Sequence, residues 1–222
     1  MGWIEEIARD VYRTTIFDQK RGLGFNQYLV LDDRPAMIST GSVAMFDEVV
    51  ALHRKVMDPS GLRYLILPHF EHDEAGAMTR FMELAPGVEP VCGAICARQL
   101  LGFGLAEKVR IVKDGEVLPL GRRRLRLLYT PFEMHLWDGL VAFEESEGIL
   151  FSSDLFGQWG ETPDPAELPD KAVAMTRGAI PERDMLTRVI GRLASLPLRV
   201  IAPGHGAVIR QRIPECLRAA AG

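Results

Sequence analysis

The sequence predicts an α/β fold in which two β-sheets pack face to face and helices cover their outer sides. Segments with strand and helix patterns alternate along the chain, in two similar halves of roughly residues 1–100 and 101–222. Hydrophobic residues make up 47% and charged residues 25% of the 222 positions, as in an ordinary globular protein. Histidine and acidic residues recur after short apolar runs, where open α/β sheets bind ligands. We expect a single domain over residues 1–222.

Composition excludes several functional classes. The net charge of −4 gives no general attraction for nucleic acid. Three cysteines are too few for a disulfide framework and fit a reducing cytoplasm. The first residues lack the positive charge of a signal peptide, and no apolar run is long enough to span a membrane. We therefore expect a cytoplasmic protein that binds neither nucleic acid nor membrane.

The first half of the chain predicts strands, a glycine-rich turn, a hairpin and helices. In chain order these are strands within 3–17, a turn at 22–26, a hairpin of 27–31 with 36–39, a helix over 43–56, a strand at 64–67, a helix over 78–84, a strand at 90–92 and a helix over 94–101. Ser42 would cap the first helix. His53 lies beside charged residues in that helix, and we expect it to face water. We expect Cys92 and Cys96 to be buried in the core as free thiols, and the alternative is that they form a redox pair.

The second half predicts mainly strands, at 109–112, 116–118, 125–129, 139–143, 149–151 and 200–203, with a helix over 181–194. Asp114-Gly115 predicts a tight hairpin between the first two of these strands. Arg122, Arg124 and Arg126 alternate with other residues and indicate one wet strand face, or a docking patch for an acidic partner. Residues 157–170, rich in proline, glycine and acid, predict a surface loop.

Residues 68–76 concentrate side chains that bind metal. Five of them crowd this strand-to-helix turn: His69, Glu71, His72, Asp73 and Glu74. Unpaired carboxylates and imidazoles at the end of a buried strand repel one another and lose hydration, so packing does not explain them. One or two cations would reverse that penalty. The stretch therefore predicts a metal site, the alternative being a solvated loop.

Three further donors follow predicted strands in the second half of the chain: His135, Asp154 and His205. His205 stands between two glycines, which let backbone approach closely. Each residue alone is a weak signal, because a lone histidine or an aspartate after a strand is usually structural. Their shared position after strands makes the combination informative, since that is where open sheets build sites.

The order of these residues resembles the metallo-β-lactamase fold family, and more narrowly the diiron core of flavodiiron proteins. The chain carries His-x-Glu-x-Asp, then His, then Asp, then Gly-His-Gly. Zinc hydrolases of this fold carry His-x-His-x-Asp-His, whereas the flavodiiron branch carries His-x-Glu-x-Asp-His, and Glu71 matches the second pattern. The similarity extends to Thr130-Pro131, to Asp138 and to residues 150–157. It implies an α/β four-layer αββα sandwich of metallo-β-lactamase type.

The resemblance implies two metal ions. One would be held by His69, Glu71 and His135, the other by Asp73, the residue at 74 and His205, with Asp154 bridging them. The family's histidine at the second ion is Glu74 here, so Glu74 is the expected ligand, His72 is the alternative, and a vacant position is the third possibility. His135 is displaced by one residue relative to the family's Thr-Pro spacing.

This donor set favours iron over zinc or manganese. Four carboxylates with three neutral imidazoles would balance the charge of two divalent ions, and oxygen donors suit hard, higher-valent metal. A zinc hydrolase instead needs neutral ligands that leave zinc acidic enough to activate water. We therefore expect two iron ions as the cofactor.

Full flavodiiron proteins continue into a flavodoxin-like domain that carries FMN, and nothing in this chain resembles a flavin phosphate loop. The resemblance therefore implies a diiron core that binds O2 or NO and, as an enzyme, reduces it with electrons from a separate flavoprotein or rubredoxin. One alternative is a diiron oxygen sensor read by a signalling protein. Another is a metal-dependent hydrolase of an ester or thioester, against which Glu71 argues. We also consider a homodimer.

Overall fold

The computed structural model describes residues 2–105, 109–130, 137–160, 167–179 and 182–222. Its strands are β1 (Trp3–Ala8), β2 (Val11–Asp18), β3 (Leu23–Val30), β4 (Ala36–Ile38), β5 (Tyr64–Leu67), β6 (Glu89–Cys92), β7 (Arg110–Ile111), β8 (Val117–Pro119), β9 (Arg124–Tyr129), β10 (Leu140–Glu144), β11 (Ile149–Ser153) and β12 (Val200–Pro203). Its α-helices are α1 (Phe46–His53), α2 (Met78–Leu84), α3 (Ala94–Gly102), α4 (Leu168–Ala179), α5 (Arg183–Ala194) and α6 (Ile213–Ala221). Short 3-10 helices cover Val43–Met45 and Pro59–Gly61.

The strands form two sheets. The first has the order β1-β2-β3-β4-β5-β6-β7 and the second the order β12-β11-β10-β9-β8. Strands β4 to β7 run parallel to one another, as do β11 and β12. The other neighbouring strands are antiparallel. The parallel segments matter for function, because the C-terminal ends of parallel strands share one edge of a sheet.

Three apolar layers hold the two sheets and their helices together. Side chains alternate between the two faces of a strand. In β5, Tyr64 and Ile66 pack between the sheets, while Leu65 and Leu67 pack under helices. Helices α1, α2 and α3 cover the first sheet, and α4, α5 and α6 cover the second. The predicted four-layer αββα sandwich is confirmed.

Two predicted turns differ from the structure. Residues 23–26, expected in a glycine-rich turn, begin β3 and pair with β2. Asp114-Gly115 does form a turn, with Gly115 at a φ of 78°, but β7 lies in the first sheet and β8 in the second. The predicted hairpin is therefore wrong. The turn carries the chain from one sheet to the other, because burial between the sheets outweighs the local preference of the turn residues.

The helices differ from expectation mainly in extent. α1 follows a 3-10 turn and ends at His53 rather than at residue 56, and the Ser42 side chain makes no capping hydrogen bond. α4 begins at Leu168, inside the predicted loop, and α6 was not predicted. The predicted positions 161–166, His135 and Pro181 lie outside the described residues. Among the described helices, none has the length and apolar character that crossing a bilayer requires.

The structure bears on two pairs of alternatives that the sequence left open: the role of Cys92 and Cys96, and the role of the arginines around β9. Cys92 and Cys96 are both fully buried between the first sheet and its helices, as expected of core thiols. Arg124 and Arg126 are partly exposed, and both form ion pairs with Glu145. These two arginines thus find their acidic partner within the chain, which supports a wet strand face over a docking patch.

The prediction that His53 faces water is wrong. α1 ends at this residue, so its charged neighbours Arg54 and Lys55 lie beyond the helix. The His53 side chain is fully buried, with its ring centroid 6.4 Å from that of Phe81. Neither of its ring nitrogens has a hydrogen-bond partner among the described residues. Burial disfavours the charged imidazole and lowers the pKa of His53 to about 3.

Replacing His53 by leucine is expected to make the fold less sensitive to acid. Below pH 6.5 the unfolded chain takes up a proton at His53, whereas the folded chain stays neutral down to about pH 3, so stability falls as the pH drops through this window. At pH 5.5 the loss is about 1.4 kcal/mol. Urea unfolding at pH 7.5 and 5.5 measures it, and the difference in unfolding free energy between the two pH values should shrink by about 1.4 kcal/mol in the His53→Leu variant. An unchanged difference would contradict the assignment.

Candidate metal centre

The C-terminal ends of β5, β11 and β12 meet at one edge of the sandwich, and the turns that follow them carry predicted donors: His69, Asp154 and His205. Two backbone hydrogen bonds join the sheets at this edge. The Leu140 N–H donates to the Pro68 carbonyl at 2.8 Å, and the Asn26 N–H donates to the Gly204 carbonyl at 2.8 Å. Residues from both halves of the chain are thereby brought to one place.

His69 is fully buried, and each of its ring nitrogens lies near a carboxylate. Its Nδ1 lies 2.6 Å from one oxygen of Asp138, and the other oxygen of Asp138 accepts a hydrogen bond from the Phe70 N–H at 2.6 Å. Its Nε2 lies 3.3 Å from the Glu71 carboxylate. Because a carboxylate accepts at Nδ1, Nε2 is the nitrogen that faces the acidic cluster, as in metal-binding histidines.

His205 presents its Nε2 to the same cluster. Its Nδ1 lies 3.1 Å from the Gly24 carbonyl, which leaves Nε2 facing inward. That Nε2 is 3.4 Å from Asp73 and 3.4 Å from Asp154. The side chain of Asn26 donates to two carbonyls of the surrounding loop, each at 2.9 Å, and so fixes the loop against β3.

The carboxylates form two overlapping groups around these histidines. One donor atom each of His69, Glu71 and Asp154 lie within 4.8 Å of one another. The same limit holds for Glu71, His72 and Asp73. Because Glu71 belongs to both groups, the two form one continuous cluster.

A cavity of about 290 Å³ opens onto this cluster. Its lining includes five of the predicted donors or alternatives: Glu71, His72, Asp73, Asp154 and His205. His72 is the most exposed of the histidines at the site, with 60% of its side chain accessible. A small ligand in the cavity would therefore contact carboxylate and imidazole donors together.

Glu74 occupies a different position from the other carboxylates. It is 3% exposed and is not among the residues that line the cavity. Both of its oxygens lie 2.8 Å from the Ser153 hydroxyl, which donates to the carboxylate. Its backbone carbonyl accepts hydrogen bonds from the N–H and hydroxyl of Thr40, at 2.7 and 3.1 Å. Glu74 is thus packed between elements of the two sheets.

The turn that carries Asp154 is conformationally strained. Ser153 and Phe156 adopt left-handed backbone angles, with φ of 54° and 63°. Such angles cost about 1–3 kcal/mol each in residues other than glycine, and they cluster at active sites and ligand clamps. The Gly204 N–H donates to the Ser153 carbonyl at 2.6 Å and helps to hold this backbone. The strain supports the assignment of this turn to a functional site.

The acidic groups of the cluster repel one another. Burial, together with the charges of Glu71 and Asp154, raises the pKa of Asp73 against the attraction of His205. Burial and the charge of Asp154 raise the pKa of Glu74 well above its usual range. Bringing a positive ion into the cluster would relieve this repulsion.

The pKa values of the two buried histidines in the cluster, His69 and His205, also reflect its excess of negative charge. Burial alone would lower the pKa of His69, but its hydrogen bonds with Asp138 and Glu71 raise that pKa to about 11. Burial likewise opposes the charged form of His205, yet its contact with Asp154 raises the pKa of His205 to about 9. The site stabilises positive charge, whether that charge is a proton or a metal ion.

The donor set fits a pair of cations. The Asp73 Oδ1 atom is buried and accepts no hydrogen bond from the described residues, although a carboxylate oxygen normally needs a partner. Imidazole nitrogens and carboxylates suit several divalent metals, including iron. The structure brings together His69, Glu71, Asp73, Asp154 and His205, sets Glu74 away from the cavity and places His72 at it. His135 lies outside the described residues.

Three residues that support the donors were not predicted in that role: Asn26, Asp138 and Ser153. Asp138 entered only through the family resemblance. The partners of Asp138 and Ser153 are 69 and 79 positions away in sequence, so no local pattern could reveal these contacts. Apart from the family resemblance, the sequence gives no signal for Asp138 as a positioning residue, because its burial is seen only in the structure.

The sandwich and the donor cluster at its edge define a domain of the metallo-β-lactamase type. The family model described as ODP family beta lactamase matches residues 23–206, which include the described donors. The chain belongs to this family.

Two relatives illustrate what the chain is similar to. A nitric oxide reductase from Moorella thermoacetica is 28% identical over 207 residues, which are 88% of this chain and 52% of that protein. An anaerobic nitric oxide reductase flavorubredoxin from Klebsiella pneumoniae is 28% identical over 218 residues, 91% of this chain and 44% of that protein. The chain thus spans about half the length of these relatives.

Solved structures share the fold. Rubredoxin oxygen:oxidoreductase from Desulfovibrio gigas superposes with a TM-score of 0.90 at 22% identity, over 98% of this chain and 60% of that chain. A flavo di-iron protein mutant from Thermotoga maritima gives a TM-score of 0.89 at 24% identity, over 100% of this chain and 60% of that one. At this level of identity, the comparison establishes the architecture.

Proposed function

We propose that the cluster holds two iron ions and that the protein binds and reduces NO or O2 there, with electrons from a separate partner. The observation that carries the proposal is the convergence of two imidazole Nε2 atoms and three carboxylates in one cluster, onto which a cavity opens. The names of the relatives, which are nitric oxide reductases, and of one structural neighbour, an oxygen oxidoreductase, support it.

The donors would divide between the two ions. His69 and Glu71 lie 3.3 Å apart and would hold one ion, with His135 as a further ligand that the family resemblance suggests. Asp73 and His205 lie 3.4 Å apart and would hold the other. Asp154 is grouped with the first pair and lies 3.4 Å from His205, a position suited to bridging.

Bound iron would supply open coordination positions for a ligand, and unlike zinc it could also change its oxidation state. The side chains would set the positions of the ions, and the carboxylates would compensate their charge. Asp138 and the Gly24 carbonyl would keep the histidine Nε2 atoms pointed inward. The glutamate at position 71 supports iron, because a combination of histidine and carboxylate ligands with open positions is typical of non-haem iron.

Reduction of NO or O2 also needs a supply of electrons. Flavorubredoxin and rubredoxin occur in the names of a relative and of a structural neighbour. We therefore propose a flavoprotein or a rubredoxin as the electron donor of this chain. A homodimer stays a prediction.

Anaerobic loading with ferrous iron tests the proposed function. Two iron ions per chain are expected, and NO or O2 should then be consumed in many turnovers when reduced rubredoxin is supplied. The iron count and gas-electrode traces are the measurements, with metal-free protein as the control. A chain that takes up zinc and refuses iron, or hydrolyses a thioester in a chelator-sensitive way, would contradict the proposal. A stable coloured adduct with O2 but no turnover would instead favour the sensor.

A further inference from the structure

Glu74 stands where the family resemblance calls for a histidine ligand, yet its carboxylate is already engaged. Both oxygens lie 2.8 Å from the Ser153 hydroxyl. Two hydrogen bonds from Thr40 fix its backbone. A Cβ atom at Gly204 would come within 3.0 Å of Glu74 Oε1, so the side chain is closely packed against that glycine. Moving the carboxylate into the cavity would break these contacts and leave the Ser153 hydroxyl without its acceptor.

His72, two positions earlier, is free of such constraints and faces the cavity. Its side chain is 60% exposed, and its Nδ1 lies 3.7 Å from Asp73 Oδ1. That oxygen is the buried atom that accepts no hydrogen bond from the described residues. Donor atoms of Glu71, His72 and Asp73 lie within 4.8 Å of one another. Donors that share one ion at about 2.1 Å lie at most about 4.2 Å apart, so a small side-chain rotation suffices.

We propose that His72, and not Glu74, is the side chain that completes the second metal site, together with Asp73 and His205. The inference rests on the proposed function, because it concerns the same pair of ions. Glu74 is then a positioning residue, whose bond to Ser153 holds the strained turn before Asp154.

This assignment has a consequence for how tightly each ion is held. The first ion would lie against His69, which is fully buried, whereas the second would be bound by an exposed imidazole. The second ion should therefore exchange with solvent and chelators faster than the first. Release of iron to a chelator is expected to occur in two phases of equal amplitude.

Metal counting after anaerobic loading of the full chain with ferrous iron, followed by desalting, tests the proposal. Wild-type protein is expected to retain two ions per chain, His72→Ala one, and Glu74→Gln two. The fast phase of chelator release should be absent in His72→Ala. Arg21→Ala is the matched control, because Arg21 also lines the cavity but offers no metal donor, and it should retain two ions. Circular dichroism checks that each variant is folded.

A second measurement does not depend on how well the variants fold. Diethylpyrocarbonate modifies exposed imidazoles, and mass spectrometry reports the modification at each histidine. His72 is exposed and should react in metal-free wild-type protein. Loading with two ferrous ions should protect it, and a single ion, added first, should not.

The outcomes separate this inference from the function on which it rests. Retention of two ions by His72→Ala, retention of only one by Glu74→Gln, or an unprotected His72 in fully loaded wild-type protein would each overturn the assignment of His72 and leave the diiron proposal standing. A wild-type chain that binds no iron would overturn the proposed function, and this inference with it.

Discussion

Replacing Asp154 by alanine is expected to abolish binding of the second metal ion and to weaken the first by more than about 100-fold. A donor atom of Asp154 lies within 4.8 Å of donor atoms of His69 and Glu71, and Asp154 also lies 3.4 Å from His205. It is therefore placed to contact both proposed ions. Loss of an outer-shell partner alone typically costs 10–100-fold in metal affinity, and loss of a bridging ligand should cost more. Chelator competition and iron counting measure the effect.

The same change should also alter the titration of the metal-free protein. The charge of Asp154 raises the pKa values of Asp73 and Glu74, so both should fall in Asp154→Ala, and the pKa of His205 should fall because the contact that raises it is lost. Titration of the metal-free protein followed by NMR measures these changes. Asp47→Ala is the matched control, since this carboxylate is 94% exposed on α1. An Asp154→Ala variant that retains two ions, or one in which the pKa values of Asp73 and His205 stay unchanged, would contradict the role assigned to Asp154.

Replacing Asp138 by asparagine is expected to weaken iron binding by 10–100-fold without removing a ligand. The amide lacks the charge that holds His69 with Nδ1 outward, and it cannot accept equally well from both Nδ1 and the Phe70 N–H. The pKa of His69 should fall, because its hydrogen bond to Asp138 is the largest of the contacts that raise it. Titration of the His69 ring by NMR and chelator competition give the two measurements.

Asp32→Asn provides a matched control for the asparagine substitution. Asp32 is also buried and accepts from two backbone N–H groups, of Asp33 at 2.9 Å and Arg123 at 2.6 Å, but it lies away from the donor cluster. Both variants should lose about 1–3 kcal/mol of stability, as expected when buried donors lose their acceptor. Only Asp138→Asn should lose metal affinity. Equal losses of affinity in both would show that Asp138 acts through general stability.

The sequence was sufficient to predict the sandwich because its strands are short apolar runs separated by polar turns. His69, Asp154 and His205 could be predicted as candidate donors because all three follow buried runs, a position that is informative in combination although each residue alone is a weak signal. Helix α6 was not predicted, although its sequence carries a helical pattern. Four apolar residues at helical spacing share one face and are buried: Ile213, Cys216, Leu217 and Ala220.

Other features depend on contacts that are distant in sequence. The burial of His53 could not be read from its charged neighbours, because it depends on where α1 ends and on Phe81. The Asp114-Gly115 turn is locally typical of a hairpin, and only packing between the sheets separates the strands around it. The bond between Ser153 and Glu74 distinguishes the two acidic neighbours Asp73 and Glu74, whose sequence contexts are alike.

The donor cluster draws on both sheets, with Glu71 and Asp73 following β5 of the first sheet and Asp154 and His205 following β11 and β12 of the second. Ions bound there would link the two sheets, because each ion would be held by residues from both of them. At a free-iron concentration 100 times the dissociation constant, each would add about 2.7 kcal/mol to the free energy of unfolding. If the proposed iron ions bind, the metal-free protein should therefore be the form that unfolds and is cleaved by proteases most readily.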